Sequence, residues 1–501
     1  MLRRMSLAAC LMALCPLPSL AGGDGVFDIA APFEIKGTDP SLSGDIFLKM
    51  DLAETLVNAD AEGRLVPGLS DRWTVSDDRL SWRFHIRPGV LFHDGTTLTA
   101  EAAAQALRRA AAREGLLKKA PIAAIDPEGD ELVVRLTGPF AALPAFLAEY
   151  RSQILAPAAY GPGGEATAII GTGAFRVNRF EAPSTIEAER FDRYWGAPAS
   201  IERVTYRSVS RSETRALMAE SGDADLVIGL DPASVARLKS VDRVSVLSIP
   251  LPRVLLLKLN ASLPFFDSAE ERGALSKAID RAGLAQAVLR YPAAADQMFP
   301  PGMAGWHVEG LPPLAFDPAA ARAELAAQGW RPGADGVLEK DGTRFEVELL
   351  TYPDRPELPL TAAVLQQMFA DIGVAVTISS SNSSEIPARH AAGTLQMALF
   401  ARNFALVPDP VGTLMQDYAP GGDWGAMGWQ NSDFTATVAA LARGEGGDAE
   451  RARLSTTLQS ELPVLPVAWY RQTGAVARGV TGVTLDPYER SFGLKTVDLA
   501  Q

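Results

Sequence analysis

Cysteine is nearly absent: among 501 residues only Cys10 and Cys15 occur, both close to the N-terminus. That end carries Arg3 and Arg4, an apolar stretch from Leu7 to Leu17, and Ser19-Leu20-Ala21 with small residues where a signal peptidase reads. Cleavage after Ala21 is predicted to leave 480 residues with no cysteine. Such a chain has no disulfide, no catalytic thiolate and no Cys-ligated metal. A second reading takes Leu7-Ala8-Ala9-Cys10 as a lipoprotein box, with Cys10 lipidated. The apolar stretch is short of the roughly 20 residues a transmembrane helix needs, and no other candidate span follows.

Histidine is scarce as well. His85, His93, His307 and His390 are isolated, and no His-Glu-x-x-His spacing exists. There is no Gly-x-Ser-x-Gly elbow and no Gly-Lys-Ser/Thr phosphate loop. Gly171-Thr-Gly173 lacks a third glycine and a following helix, so a dinucleotide fingerprint is excluded. His93-Asp94 reads as a solvated turn, and His390 as an exposed or satisfied side chain on a helix over 387–392. Positive charge is in deficit, with 47 Lys and Arg against 60 Asp and Glu. The formal charge is −13, or −15 once the two signal arginines are removed. Its basic residues are scattered, which excludes nucleic acid and an anionic membrane surface as partners.

What the chain has is 47% hydrophobic residues, enough core for more than one domain. Leu80, Trp82, Phe84 and Ile86 alternate with polar residues, the period of a half-buried strand. Asp94-Gly95 supplies a tight turn. Thr99 is a candidate N-cap for a helix from Ala100 to Ala112. Further helices are expected over 212–220, 269–289, 318–328 and 360–372. Strands are expected over 132–136, 186–189, 204–208, 226–228, 254–259, 345–350, 375–379 and 464–470. Two nearly unbroken apolar runs, Arg253 to Asn260 and Leu462 to Tyr470, suit strands buried on both faces.

Several segments carry a family resemblance. Pro67, Leu69, Trp73, Trp82, Phe84, Phe92, Asp94 and Gly95 form one ordered pattern. GTGAF from Gly171, RYWG from Arg193, SGDADL from Ser221, LKLN from Leu257 and AIDR from Ala278 follow in order. FDPAAARAELAAQGW from Phe316 and LQQMFADIGVAV from Leu365 complete the series. Together they resemble the family 5 solute-binding proteins of ABC importers, the peptide- and nickel-binding group. The resemblance implies an α/β, two-lobed periplasmic binding protein fold of type II, cluster C-like, with a hinge of two crossing strands. Residues 22–252 with 464–501 would form lobe I, including an extra subdomain, and 253–463 lobe II. It implies a periplasmic monomer without cofactor, capturing a short peptide or a carboxylate-bearing chelator or nickel-type solute. Its partners would be the permease and ATPase of the membrane complex.

The expected recognition residues follow from the same resemblance and from local chemistry. Arg151, between apolar segments, would anchor a ligand carboxylate through two parallel N–H donors, or else hold a surface or interdomain salt bridge. Phe404, Trp424 and Trp429 would wall the cleft, the competing reading being that Trp424 and Trp429 pack in the second lobe's core; Arg402 is a further ligand-binding candidate, and Asn403 and Asp423 would supply polar selectivity. The family's substrate signatures are not intact. Leu406 stands near the place of the aspartate with which peptide binders hold an amine. Phe404, Pro408 and about Gly422 stand where nickel-histidine binders place a tryptophan, a tyrosine and a histidine. No metal ligand is therefore expected. A periplasmic peptidase or glycosidase using a carboxylate pair is the alternative from another class, and it has no local motif. A chaperone-like or signalling receptor using the same cleft is a third.

Overall fold

The computed structural model describes residues 25–353, 355–404, 407, 409–419 and 422–499. The expected signal segment with Cys10 and Cys15, and Leu406 and Pro408, lie outside the described residues.

A ten-stranded mixed sheet organises the chain. Its order is Ala375–Ser380, Glu346–Thr351, Met397–Asn403, Val244–Leu259, Val464–Ala477, Leu226–Ile228, Val26–Ala31, Arg203–Ser208, Thr185–Arg190 and Phe175–Glu181. The two central strands are the longest, 16 and 14 residues, and pair antiparallel from Val244 opposite Ala477 to Lys258 opposite Val464. Their register breaks between Pro250 and Val254, where Pro250 and Pro252 lack the N–H a ladder requires. Each long strand therefore serves both halves of the sheet. Its inner part, Val254 to Leu257, is wholly buried, as the unbroken apolar run predicts. Both strands exceed their expected spans because the outer parts alternate polar and apolar residues, a weaker signal than the inner runs.

A separate four-stranded sheet, ordered Ser70–Val75, Ser81–Ile86, Glu131–Leu136 and Ile122–Glu128, is covered by the helix Ala100–Ala112. Thr99 caps that helix by accepting the Ala102 N–H at 3.2 Å. Gly95 has φ +87°, as the Asp-Gly turn requires. His93 corrects the sequence reading: it is buried rather than solvated, and its Nε2 donates to the Gly173 carbonyl at 3.0 Å. Burial lowers its pKa to about 4.

The expected helix over 269–289 is broken into Ala269–Lys277, Arg281–Leu284 and a π turn at Ala285–Leu289. Asp280 starts a new helix by accepting the Gly283 N–H, and the buried Arg281 donates to the carbonyls of Ser276 and Pro466. A capping box between Ser268 and Glu271 sets the first piece. One apolar core runs without interruption from the four-stranded sheet, through Phe84, Leu107 and Phe146, into Leu256, Phe299, Phe404 and Leu465. A second surrounds Phe27, Phe47, Phe175 and Tyr206. Among the described residues no helix is long and apolar enough to cross a membrane.

Candidate functional site

Glu149-Tyr150-Arg151 makes a single tight turn beside Phe146. Glu149 caps it, accepting the Arg151 backbone N–H at 3.0 Å and Arg151 Nη1 at 2.9 Å. Burial raises the Glu149 pKa, opposed by Arg151. The Arg151 guanidinium lies 4.6 Å from the Tyr150 ring centre and stays 30% exposed. It opens on a recess shared with Asp39, Arg109, Arg113, Gln153 and Tyr160. Arg113 pairs with Asp39 at 3.4 Å. Arg109 stacks over Tyr160 at 4.1 Å and has no carboxylate partner among the described residues. Three guanidinium groups thus face two carboxylates, leaving one positive charge over. Sequence reasoning missed Arg109 and Arg113. Their signal was the i, i+4 spacing, which puts both on one face of the helix and its C-cap.

A second group of the expected residues starts on the strand Met397–Asn403, held in register by Arg253 opposite Asn403 and Val254 opposite Arg402. Arg402 is buried and forms a bidentate pair with Asp417, 2.6 Å on each arm. Burial raises the Asp417 pKa against the pull of Arg402. The pair ties the strand to the helix Val411–Tyr418, so the Arg402 guanidinium is already engaged. The Asn403 carbonyl accepts from Thr413 Oγ1 at 3.4 Å. Phe404 is 1% exposed, packs 4.8 Å from Phe299, and its N–H bonds the Pro252 carbonyl at 2.8 Å. It is a core residue, not a free wall. Trp429 donates from Nε1 to Glu461 at 2.6 Å and packs edge-on against Tyr418 and Phe434. Trp424 is half-buried, 5.5 Å from Phe400. Beside it the Asp423 carbonyl accepts from Lys258 Nζ at 2.6 Å, and Asp423 Oδ1 is buried with no partner among the described residues.

The two walls meet. A Cβ on Gly412 would lie 3.1 Å from Phe146, so glycine permits the close approach. The amides of Ala141 and Ala142 donate across the gap to the Ala442 carbonyl at 2.8 and 3.3 Å. Tyr150 feels both Arg151 and Arg402, which places the arginine recess next to this seam.

A second polar cluster, also absent from the sequence reading, lies on the long strands. Arg253 forms a buried ion pair with Glu489, and Arg355 Nη1 donates to the Tyr470 hydroxyl at 3.0 Å. Both guanidiniums lie close to the Tyr470 ring, 5.4 and 5.0 Å from its centre. Glu357 Oε1 is buried there without a partner among the described residues. Among the described residues no group of three or more His, Cys, Asp or Glu is arranged to hold a metal ion.

Comparison with known proteins adds three findings. The family model described as bacterial extracellular solute-binding proteins, family 5 Middle, matches residues 64–425. The glutathione-binding protein GsiB of Escherichia coli K12 is 24% identical over 523 aligned positions, covering 99% of this chain and 98% of that one. Two solved structures share the fold. NikA from Brucella suis, in complex with Fe(III)-EDTA, has a TM-score of 0.84 at 22% identity, covering 95% of this chain and 99% of NikA. AppA of Bacillus subtilis, an oligopeptide-binding protein holding a nonapeptide, has a TM-score of 0.82 at 17% identity, covering 95% and 99%. The fold is thus the two-lobed periplasmic binding protein fold, and the hydrolase alternative finds no support. The chain belongs to the family 5 bacterial extracellular solute-binding proteins, which are binding components of ABC importers and not enzymes.

Proposed function

We propose that the protein is the periplasmic receptor of an ABC importer and closes two lobes on a small carboxylate-bearing solute, of the size of a short peptide or a chelate. The observation that carries this reading is the arginine recess: Arg109, Arg113 and Arg151 gather around one opening with two carboxylates between them. A planar guanidinium presents paired donors to a carboxylate, and a surplus positive charge favours an anion over a neutral competitor. Glutathione, EDTA and a nonapeptide, the ligands named for the relatives, all carry carboxylates. Trp424 would add an apolar contact and Asp423 Oδ1 an unused acceptor.

Lobe I is assigned to 22–252 with 464–501 and lobe II to 253–463. The sheet order supports this, because the long strands Val244–Leu259 and Val464–Ala477 are the elements common to both halves. Solute contacts made to both lobes exist only when they are closed, so binding shifts the population toward the closed form. The receptor works as a monomer that presents the closed form to the permease, after export directed by the N-terminal segment. Isothermal titration of ligand-stripped protein with glutathione, nickel-histidine and a tripeptide amide tests the reading. Carboxylate-bearing probes should bind and the amide should not. Equal affinity for the amide would contradict it.

A further inference from the structure

The larger half contains a second cavity, of about 140 Å³, walled among others by Asp51, Glu54, Asn58, Tyr194, Arg490 and Lys495. It shares none of its lining with the arginine recess. Two of the sequence motifs build it. Thr172 of GTGAF and Tyr194 and Trp195 of RYWG all donate to the Glu54 carboxylate, at 2.8, 2.9 and 2.8 Å. Gly171 and Gly173 let the backbone of 51–53 lie against them, since a Cβ on either would run into the carbonyl oxygens of Leu52 and Asp51. The motifs thus fix Asp51 and Glu54 at the cavity wall.

Most of the lining is satisfied. Arg490 donates to the Ala148 carbonyl and to Asn58 Oδ1, and Asp486 accepts the N–H groups of Tyr488 and Arg490. The exceptions are Arg490 Nε, a donor on a guanidinium whose two other arms are bonded, and Asp51. Asp51 is 8% exposed, its Oδ1 meets Lys495 Nζ at 3.1 Å, and its Oδ2 has no partner among the described residues. The charges do not balance either: Asp51, Glu54 and Asp486 oppose only Arg490 and Lys495, leaving one negative charge over. An unfilled acceptor and a surplus negative charge call for the same group, a monovalent cation able to donate hydrogen bonds.

We propose that this cavity binds a small primary ammonium ion, with Asp51 Oδ2 accepting a hydrogen bond from it and Glu54 supplying countercharge. Without such an occupant a buried carboxylate tends to take up a proton, and burial does raise the pKa of both Asp51 and Glu54. The site shares no lining residue with the arginine recess and does not rest on the carboxylate reading.

Ethanolammonium is the probe, titrated calorimetrically into the mature full-length chain. Saturable one-to-one binding is expected. Asp51→Asn should weaken it about tenfold or more by removing a charge-assisted hydrogen bond. Asparagine tolerates the left-handed backbone found here, φ +51°, so this variant is expected to fold. Lys495→Ala frees Oδ1 and removes the competing ammonium, and should tighten ethanolammonium several-fold. No saturable binding, or binding unchanged in both folded variants, overturns the proposal. So does a crystal grown with ethanolammonium that shows only water beside a protonated Asp51.

Discussion

Lys258 Nζ lies 2.6 Å from His390 Nδ1, and both touch the Asp423 carbonyl, at 2.6 and 2.7 Å. Lys258 is fully buried in the apolar strand Val244–Leu259. Burial lowers its pKa to about 7, with Asp417 and Asp423 resisting and Arg402 assisting. His390 is lowered too, first by burial and then by Lys258. The unfolded chain therefore holds the Lys258 proton up to its ordinary value of 10.5 while the folded chain releases it from about 7. Stability is expected to rise with pH across that window, by up to about 1.4 kcal/mol per unit. Urea titrations from pH 7 to 9.5 should show the rise in the wild type and lose it in Lys258→Met. Parallel curves for the two proteins would refute the assignment.

Arg109 offers the cleanest test of the recess. It has no carboxylate to abandon, so Arg109→Gln should leave the melting temperature nearly unchanged while weakening an anionic solute, by about 1 kcal/mol. Arg151→Ala should weaken it more. That variant also strands the buried Glu149, so its stability must be measured beside its affinity.

The Arg402–Asp417 pair is structural. Asp417→Ala leaves a buried guanidinium without its partner and should cost about 3–5 kcal/mol in urea unfolding. A loss confined to solute affinity, with stability intact, would instead make Arg402 a ligand contact.

Closure has a local reporter. Among the described residues the Ala141 and Ala142 amides are bonded only across the seam, to Ala442. Their hydrogen exchange should be fast in solute-free protein and slow once solute is bound. Rates that ignore solute would mean the seam does not open.

Much of this fold was legible because its strongest signals are local. Thr99 caps where expected, Asp94-Gly95 turns, and Leu226 to Ile228 forms a strand with the expected bounds. The helix over 269–289 failed because its break depends on the distant Pro466 carbonyl that Arg281 finds only in the folded chain. The site was less legible for the same reason. Aromatic side chains near glycines suit a ligand wall and a core equally well, and Phe299 and Glu461, remote in sequence, decide for Phe404 and Trp429. Arg402 reads as a recognition arginine until Asp417 is seen to take both its arms. The hinge pairs of Arg253 with Glu489 and Arg355 with Tyr470 join residues more than one hundred positions apart, beyond any spacing rule.

Whether the protein is a receptor for a carboxylate-bearing solute is decided by native mass spectrometry of the protein taken from its own cell envelope without refolding. Denaturation then releases any bound molecule for identification. One equivalent of a carboxylate-bearing small molecule per chain is the predicted result, lost from the Arg151→Ala protein. A released molecule without a carboxylate, or one held equally by that variant, would contradict the account.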